Sequence, residues 1–123
     1  MQTDTYPVVI VEDERISRRA LASLLCEHGY PTRAFESAED LLAELEAGEK
    51  PHVVLADVNL PGMSGMELLS RLEHKNPQLY AVLITAADGE EISRFCRLHS
   101  CEYLRKPLNL ASLLRLLEGM QYH

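Results

Sequence analysis

The sequence lacks the patterns that build cysteine frameworks and zinc sites. Its cysteines are an odd set of three, Cys26, Cys96 and Cys101, and no C-x-x-C occurs. The five histidines are scattered without metal-ligand spacing. We therefore predict reduced, mostly buried thiols that pack as small apolar groups, and histidines at surface or boundary positions.

Long apolar segments and an excess of basic residues are also missing. The apolar runs have the length of strands, far short of the ~20 residues that a membrane span needs. The amino terminus, MQTDTYP, lacks the basic region of a signal peptide. These absences predict a cytoplasmic protein without membrane contact.

Basic residues are outnumbered: 12 Lys and Arg stand against 19 Asp and Glu, which gives a formal net charge of -7. Direct binding to nucleic acid rests on clustered Lys and Arg, so this charge disfavours it. The acidity instead favours a cation or a basic protein surface as the partner.

What is present fits one globular domain. The chain has 123 residues, 46% of them hydrophobic, and no Ser/Gly-rich or Pro-rich tract marks a linker. A chain of this length buries roughly two-thirds of its unfolded surface in a single core. We predict one domain over residues 1–123, with its core at about 7–120.

Short apolar runs alternate five times with amphipathic stretches. The predicted strands are residues 8–12, 32–35, 53–56, 81–84 and 102–104. The predicted helices are residues 14–28, 37–48, 65–74 and 89–98, followed by one that opens at Asn109. Ser-x-x-acid boxes, SAED and SGME, open the second and third helices. On the first helix the predicted apolar face is Ile16, Ala20, Leu24 and Leu25.

This alternation implies βαβ crossovers, and hence a parallel sheet with helices on both faces. Five units are too few for an eight-stranded barrel, so an open, doubly wound α/β sheet remains. In such sheets, ligands bind beyond the carboxyl ends of the strands, near the point where the strand order reverses.

Polar side chains follow four of the five predicted strands. Glu12 and Asp13 end the first, Asp57 the third and Thr85 the fourth, and Lys106 lies just beyond the fifth. Carboxylates at close quarters raise one another's pKa, and a cation relieves this repulsion. Oxygen ligands in a small cleft suit Mg²⁺, and an ammonium and a hydroxyl beside it suit a phosphoryl group. Asp57 is the candidate nucleophile, since a carboxylate can accept phosphate as an acyl phosphate.

Four stretches in this order carry a family resemblance: VVIVEDE, VVLADVNLPGMSGMELL, VLITA and YLRKPL. Together they resemble the receiver domain of two-component response regulators, over about residues 7–120. The resemblance implies a flavodoxin-like fold with strand order 2-1-3-4-5 and five helices.

The resemblance also implies roles for the acidic residues and their neighbours. Asp57 matches the phosphoacceptor and Asp13 a direct Mg²⁺ ligand, with Mn²⁺ as an alternative ion. Glu12 matches a residue that acts through water, although many receivers have Asp at its position. Asn59 matches the residue that lends its backbone carbonyl to the ion. Asn59, with Ala87, also matches positions that tune hydrolysis.

Further roles are implied for the residues of the last two strands. Thr85 matches a switch hydroxyl, Lys106 the lysine that pairs with the phosphoryl group, and Tyr103 an aromatic that turns inward when Thr85 moves. Ala86 and Pro107 match supporting positions, the latter after a peptide bond that is usually cis. The chain departs from the family at residues 100 and 101, where Ser and Cys stand in place of the frequent Gly and Ala.

The function implied is a phosphorylation-activated receiver that catalyses its own phosphorylation and slow dephosphorylation. Its donor is a sensor histidine kinase or a histidine phosphotransfer protein. Its output passes through the fourth helix, fifth strand and fifth helix to an output domain, a partner protein or a homodimer. The chain is compatible with a stand-alone regulator or the amino-terminal part of a longer one.

Two alternatives stay open on sequence alone. One is a receiver-like adaptor that binds partners without phosphorylation. The other is a haloacid-dehalogenase-like phosphatase, which requires a second Asp where this chain has Asn59.

Overall fold

Five parallel strands form one sheet in the order β2-β1-β3-β4-β5. They are seen in a computed structural model, which describes residues 7–48, 50–86 and 89–120. The strands are β1 Val8–Val11, β2 Thr32–Phe35, β3 Val53–Asp57, β4 Tyr80–Thr85 and β5 Glu102–Arg105. The predicted doubly wound sheet and its strand order are confirmed. β1 ends one residue earlier than predicted, and β3 continues through Asp57.

Five helices connect and cover the strands. They are α1 Arg15–Glu27, α2 Ala38–Glu46, α3 Gly65–Lys75, α4 Glu90–His99 and α5 Leu110–Met120. The Oγ atoms of Ser37 and Ser64 accept hydrogen bonds from the backbone N–H of Asp40 and Glu67, each at 3.1 Å. Each predicted capping Ser therefore lies at the start of its helix, where its side chain accepts a hydrogen bond from a backbone N–H that has no partner within the helix. Among the described residues, no helix is long and apolar enough to cross a membrane.

The sheet has a hydrophobic layer on each face because successive strand residues point to opposite sides. Val9, Val11, Val54 and Ala56 face the layer that contains residues of α2, α3 and α4. Val8, Ile10, Leu55 and Val82 face the layer that contains residues of α1 and α5. Burial on both faces explains why the inner strands are almost wholly apolar in sequence.

The predicted apolar face of α1 is wrong for three of its four residues. Ile16 is 79% exposed and Leu24 39%, and Ala20 is also exposed, whereas Leu25 is fully buried with Leu21 and Ala22 packed beside it. Ile16 lies nine positions before Leu25, which places it on the opposite side of a helix with 3.6 residues per turn. The helix carries two apolar stripes, and the one through Leu21 and Leu25 covers the sheet.

The prediction for the cysteines holds for two of the three. Cys96 is buried and Cys101 half-buried, but Cys26 is exposed because it follows Leu25 on the outer side of α1. The histidines that the structure describes lie at exposed or half-buried positions, as predicted.

Candidate functional site

The carboxyl ends of β1 and β3 meet where the strand order reverses, because β2 lies on one side of β1 and β3 lies on the other. Val11 pairs in register with Ala56, so the residues that follow, Glu12 and Asp57, reach the edge of the sheet together. Carboxylate oxygens of Glu12, Asp13 and Asp57 all lie within 4.8 Å of one another. The sheet thus brings together the three acidic residues selected from the sequence.

Asp57 is a buried carboxylate, 5% exposed, with a donor on each oxygen. Its Oδ2 accepts a hydrogen bond from Lys106 Nζ at 2.6 Å, and its Oδ1 accepts one from the backbone N–H of Asn59 at 2.8 Å. Burying an ionised carboxylate without partners is costly, and a charge-assisted hydrogen bond offsets this cost. Lys106 therefore allows a charge to stand at the end of the central strand.

Lys106 contacts a second carboxylate as well, since its Nζ lies 3.6 Å from Glu12 Oε1. The hydrogen bond to Asp57 is the main reason why the pKa of Lys106 is raised above its usual value. Burial raises the pKa of Glu12, although the backbone N–H of Glu14, which donates to Glu12 Oε2 at 3.1 Å, opposes this shift. One ammonium thus lies among three carboxylates, which leaves a formal excess of negative charge.

The backbone that carries the acidic pair is held by Arg18, a residue that the sequence analysis did not select. Its Nη1 donates to the carbonyl oxygens of Glu12, at 2.9 Å, and Asp13, at 3.4 Å. Because these acceptors are backbone atoms, no side-chain pairing in the sequence could have indicated the contact. Arg18 is a positioning residue: it fixes the loop between β1 and α1 from one turn inside the helix.

Thr85 and Lys106 are joined through the backbone at the other side of the site. Thr85, the last residue of β4, is 1% exposed, and its carbonyl accepts a hydrogen bond from Lys106 N at 2.8 Å. The Lys106–Pro107 peptide bond is cis. Ala86, next to Thr85, is exposed.

Tyr103 lies within β5, two positions before the last residue of the strand. Tyr103 pairs in register with Leu83 on β4 and is 37% exposed. Ala87 lies outside the described residues.

The turn after Asp57 places the start of α3 in contact with the end of β3. Val58 N donates to Ile84 O at 2.8 Å, and Gly65 N donates to Val58 O at 3.1 Å. A Cβ atom on Gly65 would stand only 2.4 Å from the Asp57 carbonyl oxygen. Gly65 is therefore required by the close approach of two backbones.

The donor set fits a hard divalent cation. Three carboxylates supply oxygen ligands of the kind that Mg²⁺ prefers, and Lys106 compensates only one of their charges. Asp13 is exposed, so an ion with several bound waters can reach it. Beside the cluster lies a cleft of about 400 Å³, lined by Glu12, Asp57, Lys106 and apolar residues of α1 and α5.

Comparison with known proteins agrees with this geometry. The profile of the family described as "Response regulator receiver domain" matches residues 8–118. The chain is 38% identical over 110 residues to a cyclic di-GMP phosphodiesterase of Thermotoga maritima, covering 89% of this chain and 29% of that protein. It is 37% identical over 110 residues to the response regulator protein FleR of Pseudomonas aeruginosa, covering 89% of this chain and 23% of that protein.

A solved structure shows the same fold at full length. The CheY-like receiver domain protein of Methanospirillum hungatei superposes with a TM-score of 0.86 at 26% identity, and the match covers 97% of this chain and 96% of that one. By contrast, the chain spans less than half of the length of the curated relatives it matches. The family profile covers nearly all of the sheet and its helices, and the chain belongs to the response regulator receiver domain family.

Proposed function

We propose that this receiver domain accepts a phosphoryl group on a carboxylate oxygen of Asp57. Receiver domains of response regulators take phosphoryl groups from histidine kinases and often carry output domains. For this chain we propose a sensor histidine kinase or a histidine phosphotransfer protein as the donor. The observation that carries the proposal is the Asp57 carboxylate, held 2.6 Å from Lys106 Nζ beside an open cleft.

In the proposed transfer, a carboxylate oxygen of Asp57 forms a bond to phosphorus while the bond from phosphorus to the donor imidazole nitrogen breaks. The electron pair of that bond stays with the imidazole, and the product is an acyl phosphate. Negative charge on the phosphoryl oxygens requires donors that are already in place. Lys106 supplies an ammonium and Thr85 a hydroxyl at this edge of the sheet.

Receiver domains bind Mg²⁺ at an acidic pocket, and the cluster of Glu12, Asp13 and Asp57 can hold a metal. We propose that Asp13 and Asp57 bind Mg²⁺ directly, with the Asn59 carbonyl as a further ligand and Glu12 acting through water. Mn²⁺ has the same preference for oxygen ligands and should substitute. The bound ion neutralises charge on the carboxylates and on the transferring group.

We further propose that phosphorylation shifts the arrangement of α4, β5 and α5. Thr85 and Tyr103 are the proposed coupling pair, with Ala86 and Pro107 in support, and Asn59 and Ala87 tune access of the hydrolytic water. Moving a two-state population from 1:99 to 99:1 takes about 5.5 kcal/mol of differential stabilisation. In this proposal residues 1–123 act as one receiver domain with its core at about 7–120.

The test is labelling with acetyl phosphate, a small phosphoryl donor that needs no cognate kinase. With MgCl₂, the native chain should gain one phosphoryl group, about 80 Da, on Asp57. Asp57→Asn should gain nothing, and EDTA should abolish labelling of the native chain. Asp40→Asn is the matched control, since it removes a carboxylate at the start of α2 and should label normally.

Three outcomes would contradict the proposal. Labelling of Asp57→Asn at the native rate would place the acceptor elsewhere. A native chain that stays unlabelled, with its fold intact, would favour the adaptor alternative. Turnover of a generic phosphate ester would instead point to a phosphatase.

A further inference from the structure

The end of α4 and the start of β5 bring two thiols into contact. Cys101 Sγ donates a hydrogen bond to Cys96 Sγ at 3.1 Å, about 1 Å longer than a disulfide bond. Cys96 packs in the layer of α2, α3 and α4. The third cysteine, Cys26, lies on α1, which covers the opposite face of the sheet.

The backbone of the helix end holds this pair together. Ser100 adopts the left-handed conformation, with φ of 56°, and Cys101 N donates to Cys96 O at 3.1 Å. This is a Schellman-type helix end, in which a contact between the two side chains commonly accompanies the backbone hydrogen bond. Any two small apolar residues would satisfy that packing. Two cysteines add a covalent chemistry that the packing does not need.

We propose that Cys96 and Cys101 form a reversible intramolecular disulfide, which joins the last turns of α4 to the start of β5. The thiolate of Cys101, the less buried residue of the pair, attacks a small-molecule disulfide such as glutathione disulfide and releases one small thiol. The Cys96 thiolate then attacks Cys101 Sγ and releases the second. The two protein thiols lose two electrons and two protons in total, and the small disulfide becomes two thiols.

The surroundings make this exchange slow near neutral pH. Burial is the main cause that raises the pKa of both thiols. The neighbouring Cys96 and the carboxylate of Glu73 on α3 add to the effect on Cys101, and Glu102 adds to the effect on Cys96. His99 on α4 contacts Glu73. Since the thiolate is the attacking species, this pair should respond to sustained oxidation rather than to brief exposure.

The disulfide itself does not depend on the proposed function. Its consequence does, because α4 and β5 belong to the face that we propose to change on phosphorylation. A covalent link at this helix end would restrict that change. Asp57→Asn retains both thiols, so it should form the disulfide as the native chain does. Failure of phosphorylation and failure of the disulfide are therefore distinguishable.

The experiment is incubation of the folded chain with glutathione disulfide, followed by alkylation of free thiols, mass measurement and peptide mapping. In the Cys26→Ser protein we expect a loss of about 2 Da, two thiols protected from alkylation and a peptide linked through Cys96 and Cys101. Dithiothreitol should restore both thiols. In Cys101→Ala, which places the residue frequent in the family, the loss of 2 Da should disappear.

In the native chain, the rate at which the exposed Cys26 is modified serves as the internal reference for thiol reactivity. Formation of the link between residues 96 and 101 after Cys26 has been modified supports the proposal. Free Cys96 and Cys101 long after complete modification of Cys26 would overturn it. So would a mixed disulfide on Cys101 that persists without loss of the second small thiol. These readouts need no variant, so they stand even if a substitution at residue 101 impairs folding.

Discussion

Adding a single methyl group at Gly65 should test how closely α3 approaches Asp57, the proposed nucleophile. A Cβ atom there would lie 2.4 Å from the Asp57 carbonyl oxygen, 3.0 Å from the Asp57 carbonyl carbon and 3.1 Å from Val58 Cα. All three are backbone atoms, so no side-chain rotation can make room. To reach an ordinary contact, the two backbones must separate by about 1 Å, a shift of the kind that overpacking forces on its surroundings.

We expect Gly65→Ala to lower the free energy of unfolding by about 1–3 kcal/mol, the usual cost of overpacking. The matched control is Gly119→Ala in α5, where a Cβ would meet nothing within 4 Å. That change should raise the free energy of unfolding by about 0.5–1 kcal/mol, because alanine favours the helix over glycine. The same substitution should thus have opposite signs at the two positions.

Urea unfolding followed by circular dichroism measures both values, with the slope checked for constancy. Labelling by acetyl phosphate is the second assay, since a displacement of about 1 Å at a nucleophile can slow a reaction by up to ~100-fold. If Gly65→Ala were as stable as Gly119→Ala and were labelled at the native rate, the steric reasoning would be refuted.

Three further changes test other parts of the structure. Ser100→Gly should raise the unfolding free energy by about 1 kcal/mol, because Ser100 sits in the left-handed region, and an unchanged urea midpoint would contradict this. Lys106→Met should lower the free energy of unfolding by about 1–3 kcal/mol at pH 7. The hydrogen bond to Asp57 raises the pKa of Lys106 in the folded protein. The ion pair therefore contributes its full stabilisation below lysine's usual pKa of about 10.4, and this contribution is lost as the pH rises through the higher folded pKa. Urea midpoints measured between pH 8 and 11 give the difference in unfolding free energy between the native and Lys106→Met proteins. This difference should become smaller only at the alkaline end of the range. A difference that becomes larger there would refute the pairing. Mg²⁺ at 100 times its Kd should stabilise the native chain by about 2.7 kcal/mol. Asp13→Asn should reduce the shift that Mg²⁺ causes in the urea midpoint. An equal shift in the two proteins would show that Asp13 is not part of the metal site.

The sequence could predict the acidic cluster because its members follow strands that run in parallel. Once Glu12, Asp57 and Lys106 were assigned to strand ends, the fold had to bring them to one edge of the sheet. The buried face of α1 could not be predicted with the same certainty. Ile16 with Leu24, and Leu21 with Leu25, form two stripes with similar apolar character, and only packing against the sheet selects between them.

Contacts that involve backbone atoms left no signal in the sequence. Arg18 binds the carbonyl oxygens of residues 12 and 13, which every amino acid possesses. The steric requirement at Gly65 likewise depends on a distance between two backbones. The Cys96–Cys101 contact depends on a left-handed residue at position 100, where the sequence offers Ser rather than the Gly that usually marks this conformation.

The connection from β3 to α3 holds one side of Asp57 through backbone contacts, whereas Lys106 holds another side through its side chain alone. Backbone hydrogen bonds from Val58 to Ile84 and from Gly65 to Val58, together with the close approach of Gly65 to Asp57, tie the start of α3 to the strand end. A group added to the Asp57 carboxylate would therefore have to be accommodated by neighbouring side chains rather than by a shift of α3. The contact of Lys106 with Asp57 passes instead through a long side chain, so Lys106 Nζ can take a new position near the carboxylate without movement of the backbone.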